Sequence, residues 1–218
     1  MKRNQSGFTL IEIAIVLVII GLLLGGVLKG QELINSARVK NLATDFRNVP
    51  IFIYGYQDKF RALPGDDSQA ESHVSAATGD HGDGNGVIDG KWDEPTNGAG
   101  KETQLFWAHV RLANLAAGPT SGTDLLPTNA LGGLVGITNG GANNPDPAAA
   151  GSRISGTYIM CSGGIPGRFA KQLDITMDDG GSGTGSMREF IPSTRGGALT
   201  AAPTTLLDGD AYVVCMGI

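Results

Sequence analysis

The sequence is poor in charged residues, in aromatic residues and in cysteine. Charged side chains make up 17% of its 218 residues, aromatic side chains make up 6%, and the formal net charge is -5. A chain of this charge has no general attraction to phosphate backbones, so nucleic acid is disfavoured as a partner. Two cysteines, Cys161 and Cys215, cannot supply the full set of Cys or His ligands of a structural zinc site.

Glycine is abundant. The 34 glycines and 10 prolines make up roughly a fifth of the chain, which is below the level of about 25–30% that is typical of low-complexity disorder. The composition therefore predicts an ordered domain with long loops and a modest core.

An almost wholly apolar run covers residues 8–28 and contains Glu12 as its only charged residue. As a helix it is about 30 Å long, which matches the hydrocarbon thickness of a bilayer. An ordinary secretory signal peptide has a shorter apolar core of about 7–15 residues and an Ala-x-Ala-like cleavage site, and this run has neither feature. A plain membrane anchor explains the length but not Glu12, because a carboxylate in a membrane segment costs about 2–3 kcal/mol at its centre.

A third interpretation accounts for both the length and the acid. The string Gly7-Phe8-Thr9-Leu10-Ile11-Glu12 resembles the processing site of type IV prepilins and of type II secretion pseudopilins. The resemblance implies that prepilin peptidase cleaves between Gly7 and Phe8 and that Phe8 becomes the N-methylated first residue. Residues 1–7 are then a leader peptide that maturation removes, and residues 8–28 form the transmembrane and filament-core part of a helix.

The same resemblance implies an assembly role for Glu12. Cleavage creates an ammonium group at Phe8, four residues before Glu12. In the low-dielectric core of a filament an unpaired Glu12 is costly, and an ammonium from the next subunit relieves that cost. Buried pairs of this kind set register more reliably than they add stability.

An amphipathic pattern follows the apolar run. Over residues 29–65 apolar side chains recur at alternating spacings of three and four, which predicts a helix with one buried stripe. Pro50 within this helix predicts a kink, and the string Ala62-Leu63-Pro64-Gly65-Asp66 predicts its end. The predicted stripe consists of Val39, Leu42, Phe46, Val49, Ile53, Tyr56 and Phe60.

The globular, pilin-like domain is predicted to cover residues 66–218. We expect a connecting loop over 66–100, a second helix over 102–117, a surface excursion over 118–152 and short strands at 157–161 and 211–216. Residues 173–177 fit a helix or a strand. The predicted fold class is α+β, with the long N-terminal α-helix packed on a small antiparallel β-sheet and long glycine-rich loops.

A calcium site is a candidate feature of the loop over 80–90. The segment with Asp83, Asn85, Gly86 and Ile88 resembles part of an EF-hand calcium loop, and Asp89 offers a further carboxylate. The match is partial, since the first acid and the bidentate glutamate are replaced by other residues. An acidic, Asx-rich turn without an ion is the alternative. The predicted metal ligands are Asp83, Asn85 and Asp89, and calcium is the candidate cofactor.

Catalytic residues are not evident. Asp178 and Asp179 are paired, but no nucleophile, histidine or activating partner lies near them in sequence, so they predict a capped turn. His109 lies on the apolar stripe of the second predicted helix and is expected to be a packing residue. We therefore predict that the chain is not an enzyme.

A disulfide between Cys161 and Cys215 follows from the expected topology. Lys2 and Arg3 precede the span, consistent with a cytoplasmic leader, and the resemblance carries much of the orientation. The globular part then lies in an oxidising compartment, where both cysteines fall in short β-rich segments. Two independent buried thiols are the alternative.

The predicted function is that of a structural subunit of a type IV pilus-like filament. The alternatives are a pseudopilin of a type II secretion system and, more remotely, a membrane-tethered hydrolase. The implied partners are other copies of the chain, related pilins, prepilin peptidase and the inner-membrane assembly machinery. The implied location is the inner membrane in a single pass, with the C-terminal domain in the periplasm, and then a surface pilus or a periplasmic pseudopilus.

Overall fold

The computed structural model describes residues 9–96, 101–149 and 151–218. The chain divides into two compact units, Met1–Arg38 and Val39–Ile218. Helix α1 spans Leu10–Phe60 and contributes to both units. The long predicted helix is thus confirmed. It ends where Arg61 adopts a left-handed φ of 58°, a conformation that does not continue an α-helix.

The second unit carries the remaining described elements. Three helices follow α1 in the described residues: α2 (Ala70–His73), α3 (Glu102–Leu112) and α4 (Gly167–Met177). The strands of that part of the chain are β1 (Val135–Asn139), β2 (Tyr158–Pro166), β3 (Met187–Ile191), β4 (Thr200–Ala201) and β5 (Ala211–Gly217). The strands form one antiparallel sheet in the order β1-β2-β5-β3-β4. The predicted α+β, pilin-like architecture is confirmed.

The predicted apolar stripe of α1 lies in the core of the second unit. Every predicted member is buried except Phe60, which is partly exposed, and Ala43 joins the stripe. The stripe belongs to one cluster with side chains of α3 and of the sheet, including Val110, Ile137 and Met160. Each buried aliphatic or aromatic side chain contributes about 1.5–3 kcal/mol, so this shared core holds helix and sheet together. Pro50 is inside α1, where the helix continues past it.

Several boundaries differ from the sequence-based prediction. Strand β2, for example, continues to Pro166 and does not end at residue 161. Helix α3 ends at Leu112 rather than at residue 117, because Asn114 adopts a left-handed φ of 60° and stops the helix before Gly118. Residues 173–177, which fitted a helix or a strand, are the last turns of α4.

The prediction of a surface excursion over 118–152 is wrong for residues Val135–Asn139. These residues form β1, are buried throughout and pair with β2. Gly136 allows this burial, because a Cβ at that position would lie 1.7 Å from the carbonyl oxygen of Trp92. A short strand flanked by glycine-rich segments on both sides carries little local signal.

Candidate functional site

The first unit presents an apolar helical surface. In the described residues of this unit, the large aliphatic side chains of 10–28 are exposed, including Leu10 at 92% and Leu22 at 73%. One helix of the described chain is long and apolar enough to cross a membrane, and it is the helix near the N-terminus. Exposed apolar area of this extent requires lipid or other apolar helices as its surroundings.

Two pairs of glycines interrupt this apolar surface. Gly21 and Gly25 are four residues apart, as are Gly26 and Gly30. A Cβ at any of these positions would have no heavy atom of the described residues within 4 Å, apart from its own helical neighbours. The spacing is the one that allows the backbones of two membrane helices to approach closely.

Glu12 and Thr9 form a reciprocal cap at the start of α1. The amide and the hydroxyl of Thr9 both donate to Oε2 of Glu12, each at 2.8 Å. The amide of Glu12 donates in turn to Oγ1 of Thr9 at 3.4 Å. This is a capping box, which satisfies amide groups that the first turn of a helix leaves unpaired. Within the described residues, all the hydrogen bonds of the Glu12 carboxylate run to Oε2, and Oε1 remains for another partner. Gly7 and Phe8, the predicted processing residues, lie outside the described residues.

The loop over 82–90 folds around two buried carboxylates. The amides of Gly84, Asn85 and Gly86 donate to Asp66 at 2.7–3.0 Å. Glu102 accepts from the amides of Asp83 and Asp89 at 3.1 and 2.8 Å. Burial raises the pKa of Glu102 to about 7, although these two amide bonds oppose the shift.

The predicted calcium ligands are only partly gathered in this loop. Asp83 offers an oxygen within 4.8 Å of oxygens of Asp66 and Glu102. Neither Asp66 nor Glu102 is among the predicted ligands. Asn85 donates from Nδ2 to Asp83 at 2.9 Å and to Asp89 at 3.4 Å. Its Oδ1 accepts from the amide of Val87 at 2.7 Å. An acidic cluster that could hold a metal is thus present, with Asp66 and Glu102 beside Asp83.

A second acidic cluster lies between α4 and β3. Oxygens of Asp174, Asp178 and Asp179 are all within 4.8 Å of one another. Burial raises the pKa of Asp174 to about 6, and burial together with the charge of Asp174 raises the pKa of Glu189 to about 8.

The turn that links these elements matches its predicted character. Asp178 accepts from the amide of Met187 at 2.8 Å. Asp179 accepts from the amide of Gly181 and from Thr184 Oγ1, each at 2.8 Å. Both carboxylates therefore cap the turn. Sequence reasoning missed Glu189, because nothing in its local sequence indicates that a strand glutamate faces inward.

The predicted disulfide is present. Cys161 of β2 and Cys215 of β5 are direct partners in the antiparallel register, with Cα atoms 4.1 Å apart and a sulfur–sulfur bond. Both residues are fully buried. The bridge joins two central strands of the sheet and encloses α4, β3 and β4 in one covalent loop.

His109 is buried, as expected of a packing residue, and both ring nitrogens have partners. Nδ1 accepts from the amide of Gly65 at 3.0 Å, which places the proton on Nε2, 3.0 Å from the carbonyl oxygen of Asp80. Burial lowers the pKa of His109. The ring therefore serves as a neutral link between α3 and two loops.

Comparison with protein families agrees with this N-terminal segment. The prokaryotic N-terminal methylation motif matches residues 2–28. Searches of curated proteins and of solved structures find no match. This motif is the hallmark of type IV pilin and pseudopilin families. Together with the long helix, the small sheet and the disulfide, it supports a type IV pilin-like or pseudopilin subunit that is anchored in a membrane by a single helix.

Proposed function

We propose that the chain is a structural subunit of a type IV pilus-like filament. Prepilin peptidase removes residues 1–7 by cleaving between Gly7 and Phe8, and Phe8 is then N-methylated. Residues 8–28 form the transmembrane and later the filament-core segment, residues 29–65 form its amphipathic continuation, and residues 66–218 form the globular domain. The observation that carries the proposal is the methylation motif over 2–28, together with the exposed apolar surface of α1 from Leu10 onward.

Assembly exchanges one apolar environment for another. In the membrane the exposed side chains of residues 10–28 contact lipid, and in the filament they contact the same segment of neighbouring subunits. Apolar burial is roughly conserved in this transfer, so an ATP-driven machine in the inner membrane has to supply directed work rather than hydrophobic energy. The two pairs of glycines four residues apart support close packing of these helices.

Glu12 serves two purposes in this scheme. Within its own subunit it caps α1 through Thr9. Between subunits its carboxylate pairs with the methylated ammonium of Phe8 of a neighbour. The pair positions each incoming subunit, because a carboxylate left without a cation in an apolar core is strongly disfavoured.

The globular domain lies in the periplasm and then on the filament surface. The disulfide supports this placement, since structural disulfides persist in oxidising compartments. A pseudopilin of a type II secretion system is the second candidate function. The acidic loop with Asp83, Asn85 and Asp89 favours it through the calcium that this loop is predicted to bind, while the disulfide and the long glycine-rich loops favour a surface pilus.

Processing and localisation provide the test. The full-length chain is expressed in a host with a prepilin peptidase, and filaments are sheared from the cells and purified. We expect intact-mass and N-terminal analysis to give a chain that begins at Phe8 with one added methyl group. A chain cleaved beyond residue 25, or a full-length chain in otherwise normal cells, would contradict the proposal. Filaments found at the surface at native expression indicate a pilus, whereas impaired protein secretion without surface filaments indicates a pseudopilus.

A further inference from the structure

A polar cavity of about 790 Å³ lies where α1 ends. Its lining comes from the last turn of α1, from the segment that joins α1 to α2, from α2 itself and from the loop over 82–90, with Tyr158 of β2 beside them. All of these residues belong to the second unit. The volume falls within the range of about 300–1,000 Å³ that is typical of small-molecule sites. The cavity is thus large enough to admit a small molecule or a short segment of a polymer.

A second cavity, of about 380 Å³, shares Gly86 and Tyr158 with the first. Its other lining residues include the polar residues Asn85, Asn139 and Thr157. Tyr158 is half-buried, and within the described residues its hydroxyl makes no hydrogen bond. The two cavities therefore meet at an aromatic ring whose polar group is still free.

Four polar side chains that line the first cavity have no partner in the part of the chain that the structure describes. They are Gln57, Arg61, Ser68 and Gln69, of which Gln57 is half-buried and the others are exposed. Together they offer amide, hydroxyl and guanidinium groups, and hence both donors and acceptors of hydrogen bonds. Water can satisfy exposed groups of this kind, so their presence alone does not identify a ligand.

Arg61 is distinguished from the other three by its backbone. It ends α1 with a left-handed φ of 58°, where glycine is the usual residue and asparagine is the next most common. Asn114 follows this preference at the end of α3, with a φ of 60°. Backbone strain of this kind persists chiefly at functional sites, where the side chain is needed. The sequence thus retains an arginine, free of partners among the described residues, where glycine would be more stable.

Charges of both signs line the first cavity. Asp66 and Asp67 lie there together with Arg61 and His73. Asp66 already accepts hydrogen bonds from three amides of the loop over 82–90. Asp67 accepts from the Tyr56 hydroxyl and contacts His73. An anionic ligand meets the two carboxylates, and a cationic ligand meets Arg61, so either is repelled by a like charge. A neutral ligand that is rich in hydroxyl groups avoids both repulsions.

We propose that this cavity, with its extension past Tyr158, binds a neutral oligosaccharide. Sugar hydroxyls donate and accept hydrogen bonds at once, and the planar polar groups of Gln57, Arg61 and Gln69 are suited to bridging neighbouring hydroxyls. A sugar ring also has an apolar face of C–H groups, which packs on the ring of Tyr158 while the tyrosine hydroxyl bonds to a neighbouring sugar. The second cavity provides room for further sugar units, so the ligand is a segment of a polymer rather than a single sugar.

This inference goes beyond filament assembly and does not depend on it. The lining residues of both cavities lie in the second unit, so binding is testable on the unassembled subunit. In a filament the site is repeated along the fibre, and a polysaccharide that engages several copies is held with an avidity well above the affinity of one site. Absence of binding leaves the filament proposal intact, and failure of processing or assembly leaves this binding measurable.

The experiment uses the full chain in a polyoxyethylene detergent, which has no sugar head group. The probes are hexasaccharides of α-linked glucose, β-linked glucose, mannose and galactose, and a hexamer of galacturonic acid is the anionic counterpart of the galactose probe. Binding is measured by saturation-transfer NMR and by isothermal titration calorimetry. We expect at least one neutral hexasaccharide to bind with a Kd in the millimolar range or below. The anionic hexamer should bind more weakly than the neutral galactose hexamer.

Arg61→Gly separates binding from folding. It should weaken binding by about tenfold or more, because hydrogen bonds from a charged donor are lost. Its Tm should equal or exceed that of the wild type, because glycine adopts the left-handed conformation without strain. Asn114→Gly is the matched control, since it makes the same backbone change at the end of α3, outside the cavity, and should leave binding unchanged. A residue with a purely structural role would not lose binding while its Tm is maintained.

Gln69→Ala provides a second variant if Arg61→Gly does not fold. The side chain of Gln69 makes no capping hydrogen bond to α2, so its loss should weaken binding and leave Tm unchanged. Three results would overturn the proposal. They are the absence of binding of every neutral hexasaccharide at millimolar concentrations, tighter binding of the anionic hexamer than of its neutral counterpart, and wild-type affinity in both Arg61→Gly and Gln69→Ala.

Discussion

Glu12 accepts hydrogen bonds from both the amide and the hydroxyl of Thr9, each at 2.8 Å, through a single carboxylate oxygen. A residue that sequence reasoning assigns to contact between subunits therefore also holds the first turn of its own helix. The two roles make different demands: a cap needs an acceptor oxygen, whereas an ion pair needs a charge.

Comparing Glu12→Gln with Glu12→Ala separates these roles. Glutamine keeps an acceptor for the Thr9 amide but loses the charge, and alanine loses both. If pairing with the Phe8 ammonium drives assembly, both variants should reduce the number of sheared filaments by roughly tenfold or more, since one lost buried pair costs about 3–5 kcal/mol. The measurement is electron microscopy with immunoblotting of sheared material.

Glu32→Gln is the matched control for that experiment. Glu32 lies on the same helix and pairs with Lys29 at 2.6 Å while exposed, so its loss should leave filament number unchanged. Normal filaments with Glu12→Gln, combined with their loss in Glu12→Ala, would show that capping rather than charge matters.

The disulfide should account for much of the stability of the second unit. Replacing both Cys161 and Cys215 with alanine removes a cross-link that spans 54 residues. By the chain-entropy model this lowers the free energy of unfolding by about 3–4 kcal/mol. Urea unfolding of wild type and double variant, followed by tryptophan fluorescence, measures the loss. The single variant Cys161→Ala serves as the control. Its free energy of unfolding should fall by nearly as much, because either substitution opens the loop. A single variant as stable as the wild type would contradict the expectation.

Burial of His109 should make folding sensitive to acid. Its pKa is lowered by burial, against the opposing influence of Asp80 and Asp67, so in the unfolded chain it takes up a proton at a higher pH than in the fold. The contribution of neutral His109 is fully present above about pH 6.5 and is lost as the pH falls below that value, at up to about 1.4 kcal/mol per pH unit.

The pH dependence of the wild type alone does not isolate His109, because Glu102, with a raised pKa of about 7, changes the stability in the opposite direction. The contribution of His109 is therefore measured as the difference in stability between the wild type and a His109 variant. His109→Asn keeps an acceptor for the Gly65 amide and should flatten the loss of stability between about pH 6.5 and 5. His81→Asn, at an exposed neighbouring histidine, should retain the wild-type slope. Equal slopes for wild type and His109→Asn would refute this assignment.

The Tyr56 hydroxyl should stabilise the packing of α1 in the second unit. Tyr56 is fully buried and donates to Asp67 Oδ2 at 2.7 Å, and Asp67 also contacts His73 at 2.8 Å. Tyr56→Phe removes a hydrogen bond to a charged acceptor and should lower the free energy of unfolding by about 1.5–3 kcal/mol. Tyr54→Phe, on the same helix but 67% exposed, is the control and should change it by less than about 0.5 kcal/mol. Equal effects of the two substitutions would argue against this bond.

The elements that the sequence predicted well are those with a long, regular pattern. The stripe from Val39 to Tyr56 repeats every three or four residues, and the buried face of α1 follows it. Strands β2 and β5 contain β-branched and aromatic runs with a cysteine each, and they pair as expected. Strand β1 was missed because Val135–Asn139 is short and lies among glycines and asparagines, and its burial depends on Trp92, which is distant in the sequence.

The sequence by itself determined the N-terminal segment: a short linear motif with Gly7, Phe8 and Glu12 is complete within a few neighbouring residues, and an apolar run of bilayer length needs no partner to be recognised. The tertiary structure alone decided which acids gather. Asp66 meets Glu102, and Asp174 and Glu189 come to line one cavity, only after loops and strands have folded. Such pairs are separated in the chain, and whether amides reach their oxygens depends on the path of the backbone. Local sequence therefore could not distinguish a carboxylate that accepts hydrogen bonds from amides, as at Asp66, from one that has no hydrogen-bond partner among the described residues, as at Glu189.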